Sequence, residues 1–163
     1  MQFFFILKNS LLLPRKDALF QLNRVSMRNT IAYVFIVMFI LQVPDMISAI
    51  VKMDKHIGMP KEIYILNLIV SYPLLFIFAT IIGISLLAAL SLLLVFMLNR
   101  KLAYPYIWKV TTYSLTIPII MYHVLLEPLA LDYSLAEIIF ILFFLLLMYR
   151  IITIYPKYNG KIR

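Results

Sequence analysis

The chain has 163 residues, of which 64% are hydrophobic and only 13% charged, with a formal net charge of +8 and no cysteine. Water cannot cover that much apolar surface on a soluble domain, and the missing thiols exclude disulfides, thiolate catalysis, cysteine zinc sites and iron-sulfur clusters. The length holds one domain, and its basic residues flank apolar runs, which points to a bilayer with anionic lipids and away from nucleic acid.

Residues 1–13 open with Phe3, Phe4, Phe5, Ile6 and Leu7 and continue to Leu11, Leu12 and Leu13. The run is too short to span, with neither a preceding basic region nor a small-residue cleavage site. It is expected to form an amphipathic helix in the membrane interface, ended by Pro14. Residues 15–29 place Leu19, Leu22 and Val25 at three-residue spacing on one helical face. Lys8, Arg15, Lys16, Arg24 and Arg28 make residues 1–29 either a basic membrane-surface segment or the charged flank that orients the first span.

Residues 30–155 are expected to form an all-α integral membrane domain of four transmembrane helices. The first covers about residues 30–51, long enough at about 1.5 Å per residue to cross a core of about 30 Å. A polar link over 52–62 contains Gly58 and Pro60, the latter suited to a first helical turn. No charge occurs from residue 63 to 98, which reads as a second span over about 73–98. Residues 63–72 then form either an outer-face segment or a continuation of a tilted helix. Asn99, Arg100 and Lys101 close that span. Tyr104, Pro105, Tyr106 and Trp108 form an aromatic cluster of the kind found at a membrane boundary. The third span covers about 110–126. Ser134 and Glu137 have capping-box spacing at the start of the fourth, about 134–154. Residues 156–163 form a basic tail.

Four crossings with the N-terminus inside put 12 of the 15 basic residues, and both termini, on the cytoplasmic side. Dividing residues 63–98 into two spans instead leaves 10 of the 15 outside. The positive-inside rule therefore selects four.

Ionisable groups within spans carry an insertion cost and mark candidate function. Asp45, His123 and Glu127 qualify. His123 and Glu127 stand four apart on one helical face, a spacing that serves a metal ligand pair or a proton relay. Against this, Pro128 follows immediately and outer water satisfies Glu127. Asp45 either reaches outer water from a helix loosened by Pro44 or faces His123 across the bundle. Pro44, Pro73 and Pro118 are expected kinks freeing the carbonyls of Ile40, Ile69 and Ser114, with Thr111, Thr112, Ser114 and Thr116 as hydroxyl donors near the third. No phosphate loop, nucleophile elbow, zinc-protease or dinucleotide motif occurs, so no catalytic or metal residue and no cofactor is expected.

The Phe-rich opening followed by Ser10 and Pro14, Arg15 and Lys16, then Tyr33 early in the first span, resembles a domain-of-unknown-function family of Gram-positive bacterial membrane proteins. The stretch from Trp108 to Pro118, with Tyr113 five residues before the proline, is similar to that family's third-span region. The family is itself similar to Yip-type proteins, and some members are labelled as maltodextrin-utilisation proteins. One departure is the short link over 52–62, where the family carries a larger extracytoplasmic insertion. The resemblance implies a bacterial cytoplasmic-membrane location and no catalytic residues. The expected role is a non-enzymatic accessory, assembly or regulatory subunit acting on a membrane-protein partner or a second copy of itself. The alternative is a small lipid or solute carrier using Asp45, His123 and Glu127.

Overall fold

The computed structural model describes residues 2–51, 60–123 and 133–157, and these are helical throughout apart from short connections. Helices α1 (Gln2–Leu11) and α2 (Lys16–Asn23) form a tight hairpin. The chain leaves helical geometry at Leu12, ahead of Pro14, whose ring cannot continue the ladder. Ile6, Asn9 and Ser10 of α1, and Ala18, Leu19 and Leu22 of α2, are buried. Phe4, Phe5 and Leu11 are exposed, but Ile6 faces inward, because α1 packs on later helices of the same chain.

Helix α3 (Met27–Val51) follows Ser26, whose Oγ accepts from the Asn29 N–H at 3.4 Å, and it runs through Pro44. Helix α4 (Lys61–Met97) has 37 residues and continues through Pro73. Residues 63–72 thus belong to the same helix as 73–97. At about 1.5 Å per residue α4 is about 55 Å long, well beyond a hydrocarbon core of about 30 Å. A helix of that length tilts or projects past the headgroups.

The C-terminal end of α4 is a Schellman motif. Asn99 is left-handed (φ 50°), the Arg100 N–H donates to the Val95 carbonyl at 3.0 Å, and the Asn99 N–H donates to the Phe96 carbonyl at 3.1 Å. Chain reversal follows directly, and α5 (Tyr104–Ser114) returns along α4.

The expected third span falls on α5 and α6 (Thr116–Met121), with residues 124–126 outside the described set. The interruption is at Leu115, three residues ahead of Pro118, where the helix must shed the proline's ring clash. Every residue from 107 to 116 is buried, making α5 the axis of the molecule, with α1, α2, α3, α4 and α7 (Tyr133–Ile154) packed around it. Trp108 belongs to this core rather than to the boundary belt: its Nε1 donates to Ser85 Oγ on α4 at 3.3 Å, while Tyr104 and Tyr106 stay exposed.

Among the described residues, three helices are long and apolar enough to cross a membrane: Met27–Ser48, Glu62–Met97 and Ser134–Ile154. Their outer faces are apolar and exposed, as in Leu66, Val70, Leu74, Phe78, Ile82 and Leu86 along α4 and Leu135, Ile138, Leu142 and Leu146 along α7. Exposed leucine stripes of this kind carry no desolvation advantage in water and match a hydrocarbon solvent.

Candidate functional site

Two hydroxyl pairs join α3 to the central helix. Thr30 Oγ1 and the Tyr113 hydroxyl are 2.5 Å apart, and the Tyr33 hydroxyl and Thr116 Oγ1 are 2.9 Å apart. Both partners advance by three residues between the pairs, so α3 and the α5–α6 segment run in the same direction. The sequence carries the matching spacings, Thr-x-x-Tyr on α3 and Tyr-x-x-Thr on the central helix. Residues three apart share a helical face, which lets both rungs form at once. The two tyrosine rings are 6.1 Å apart, and Phe3 of α1 stacks on Tyr33 at 5.5 Å.

These hydroxyls do not serve the carbonyl freed by Pro118. Thr112 Oγ1 donates to the Trp108 carbonyl at 2.9 Å and Ser114 Oγ to the Val110 carbonyl at 2.6 Å, while Thr116 turns to Tyr33. Back-bonding within the helix satisfies a hydroxyl without a neighbouring element. Thr111 Oγ1, fully buried, has no hydrogen-bond partner among the described residues.

One helical turn from this ladder, the Lys109 ammonium reaches into the end of α2. It donates to the carbonyls of Asn23 at 2.8 Å and Val25 at 2.5 Å, and lies 5.9 Å from the Tyr106 ring centroid. The last carbonyls of a helix lack intrahelical partners and carry its negative dipole end, so a cation there is doubly favoured. The two carbonyls and the ring face together stabilise its charge in this buried position. Asn23 extends the contact, its Nδ2 donating to the Tyr155 hydroxyl at 2.8 Å, and burial raises the pKa of that phenol. The carbonyl of Tyr155 accepts from Arg100 Nη1, and an antiparallel bridge pairs Arg100 with Lys157. One polar clasp thereby gathers the ends of α2, α4 and α7 around α5.

The candidates read from the sequence lie elsewhere. His123 is half-buried, its Nδ1 3.1 Å from the Ile119 carbonyl and its ring edge-on to Tyr122. Asp45 follows Pro44 on α3, with its side chain outside the described set, as is the whole of Glu127. Among the described residues, no three of His, Cys, Asp and Glu converge on a point. All five of the basic surface set, Lys8, Arg15, Lys16, Arg24 and Arg28, are exposed. Arg24 lines a cavity with Gln2, Gln21 and Asn29 at the open end of the α1–α2 hairpin.

The residues that sequence reasoning passed over are Thr30, Lys109, Asn23 and Tyr155. The available signal was polarity within apolar surroundings, above all a lysine embedded in the otherwise uncharged run from Leu102 to Met121. No protein-family model, curated protein or solved structure matches this chain.

Proposed function

We propose that the chain is a four-span membrane subunit without catalytic activity, both ends in the cytoplasm, that acts by binding another membrane protein or a second copy of itself. The observation that carries this reading is a set of polar pairings between helices in the core. Thr30 bonds Tyr113, Tyr33 bonds Thr116, and Lys109 bonds the end of α2. Pairs of this kind hold the helices in register. The chain's large apolar outer faces are free for lipid or for a partner helix.

Helix direction supports four crossings. The central helix runs parallel to α3, and α4 and α7 run the other way: Phe140 near the start of α7 lies beside Ile119, and Tyr155 past its end reaches Asn23. Alternation of this kind supports reading α5–α6 as the third span, with the cations of the clasp on the same side as the N-terminal basic segment. The sequence's resemblance to the Yip-like family belongs to this reading and supplies no residue roles.

The test has two parts. In-cell crosslinking and gentle affinity purification should recover a stoichiometric partner or a defined oligomer, whereas a strictly solitary monomer contradicts the role. Tags at the two ends should both resist labelling from outside intact cells, whereas one reachable tag contradicts the layout.

A further inference from the structure

The turn after α4 brings together cations that no carboxylate among the described residues neutralises. Arg100 and Lys101 follow the Schellman turn, and the backbone bridge from Arg100 to Lys157 adds a third from the end of α7. Among the described residues no carboxylate pairs with any of them. Arg100 donates through Nη1 to the Tyr155 carbonyl, while its Nε is buried without a hydrogen-bond partner among the described residues. A buried guanidinium donor left unpaired is costly, and an anion is the partner that its fork geometry fits.

Space for that anion lies alongside. A cavity of about 470 Å³ is lined by Asn99, Arg100 and Lys101 together with Val95, Phe96 and Leu102. Its size is that of a small-molecule site, and its lining combines two cations with apolar side chains. Phe96 and Met97 continue the apolar lining onto the exposed surface of α4. We propose that this notch binds a phosphate ester, the phosphate held by Arg100 and Lys101 with Lys157 beside them, and the apolar wall accepting an attached hydrocarbon chain. An anionic membrane lipid supplies both parts, and free phosphate supplies only the first. The site deepens the membrane-subunit reading, on which the lipid source rests, and it is separate from the exposed cations of residues 1–29.

The experiment uses the full chain in detergent. Native mass spectrometry counts retained phosphatidylglycerol or phosphatidylcholine, and thermal shift measures protection by each lipid and by inorganic phosphate. Wild type should retain and be protected by phosphatidylglycerol. R100Q/K101Q should weaken that binding about thirtyfold and K101Q alone about fivefold, since each surface cation contributes about a factor of five near an anionic headgroup. K101Q alters an exposed side chain and keeps the Arg100 bond to Tyr155, so its effect is read on a folded protein, checked by the fluorescence of the single tryptophan, Trp108. Equal protection by inorganic phosphate, abolished in R100Q/K101Q, supports the same site with a soluble ligand. Equal retention of phosphatidylcholine, an unaltered K101Q, or an equal loss in R15Q/K16Q overturns it. Tag accessibility is read separately: a failed lipid titration with both tags inside removes the notch alone, and one tag outside removes the four-span layout alone.

Discussion

The hydroxyls of Thr30 and Tyr113 lie 2.5 Å apart across 83 residues of chain, and three residues further along both helices Tyr33 meets Thr116 in the reciprocal pairing. Two such rungs specify register as well as contact, because sliding α3 by one turn against the central helix breaks both. A double-mutant cycle of Thr30→Val and Tyr113→Phe, followed by reversible unfolding in mixed micelles, is expected to show a coupling of about 0.6 to 1.7 kcal/mol, the range of interhelical hydrogen bonds in membrane proteins. Additive single effects would remove the register argument.

Lys109 ties the N-terminal hairpin to the axis of the bundle. Lys109→Met keeps the aliphatic stem and removes the donor, leaving the Asn23 and Val25 carbonyls without it. The expected cost is about 1.5 to 3 kcal/mol for hydrogen bonds to a charged group. Hydrogen exchange should report it locally, with faster amide exchange across α2 and little change in α7. Unchanged protection of α2 would show that its apolar contacts through Leu19 and Leu22 suffice.

Asn99 occupies the left-handed position that ends α4. Glycine removes the Cβ penalty and asparagine tolerates it, but a β-branched residue does neither. Asn99→Gly should leave the melting temperature equal or raised, and Asn99→Val should cost about 1 to 2 kcal/mol. Equal stabilities for the two variants would mean that the turn is imposed by the packing of α4 on α5.

Alkaline titration isolates Tyr155. Burial raises its pKa above the ordinary 10.0, so the folded protein keeps the phenol proton that the unfolded chain releases first. Its contribution is fully present below pH 10 and falls as pH climbs from 10 through the folded-state value. The stability difference between wild type and Tyr155→Phe should therefore shrink as pH rises past 10. A difference that is flat with pH would contradict burial of the hydroxyl against Asn23.

Gly83 stands within α4 with open space where a Cβ would point, beside an apolar crevice of about 310 Å³ lined by Met38, Leu115, Ile119 and Phe140. Alanine there meets nothing and removes the backbone freedom of glycine from a helix interior. Gly83→Ala is expected to stabilise by up to about 1 kcal/mol, read as a raised melting temperature in detergent. A loss of stability would show that the crevice is filled or closes in the membrane.

The apolar runs around 30–51, 73–98 and 134–154 were legible because a run of apolar residues in the chain becomes a largely apolar cylinder as a helix, whatever packs against it. Local punctuation was legible too: Pro14 beyond α1 and Pro60 before α4 act through their own backbone. Their limits were not, since Pro73 leaves α4 unbroken while the interruption near Pro118 falls at Leu115.

What only the tertiary structure decided is which helix lies at the centre and what its polar groups meet. Residues 104–121 contain the same aromatic, threonine and lysine signals as a membrane boundary, and the fold instead buries them from 107 to 116. Lys109 reads as a flanking charge until α2 offers it carbonyls, and Arg100 and Lys157 stand 57 residues apart until the ends of α4 and α7 meet. Hydropathy sums along the chain, whereas a hydrogen bond depends on two atoms arriving at one place, and that arrival is fixed by packing between helices distant in sequence.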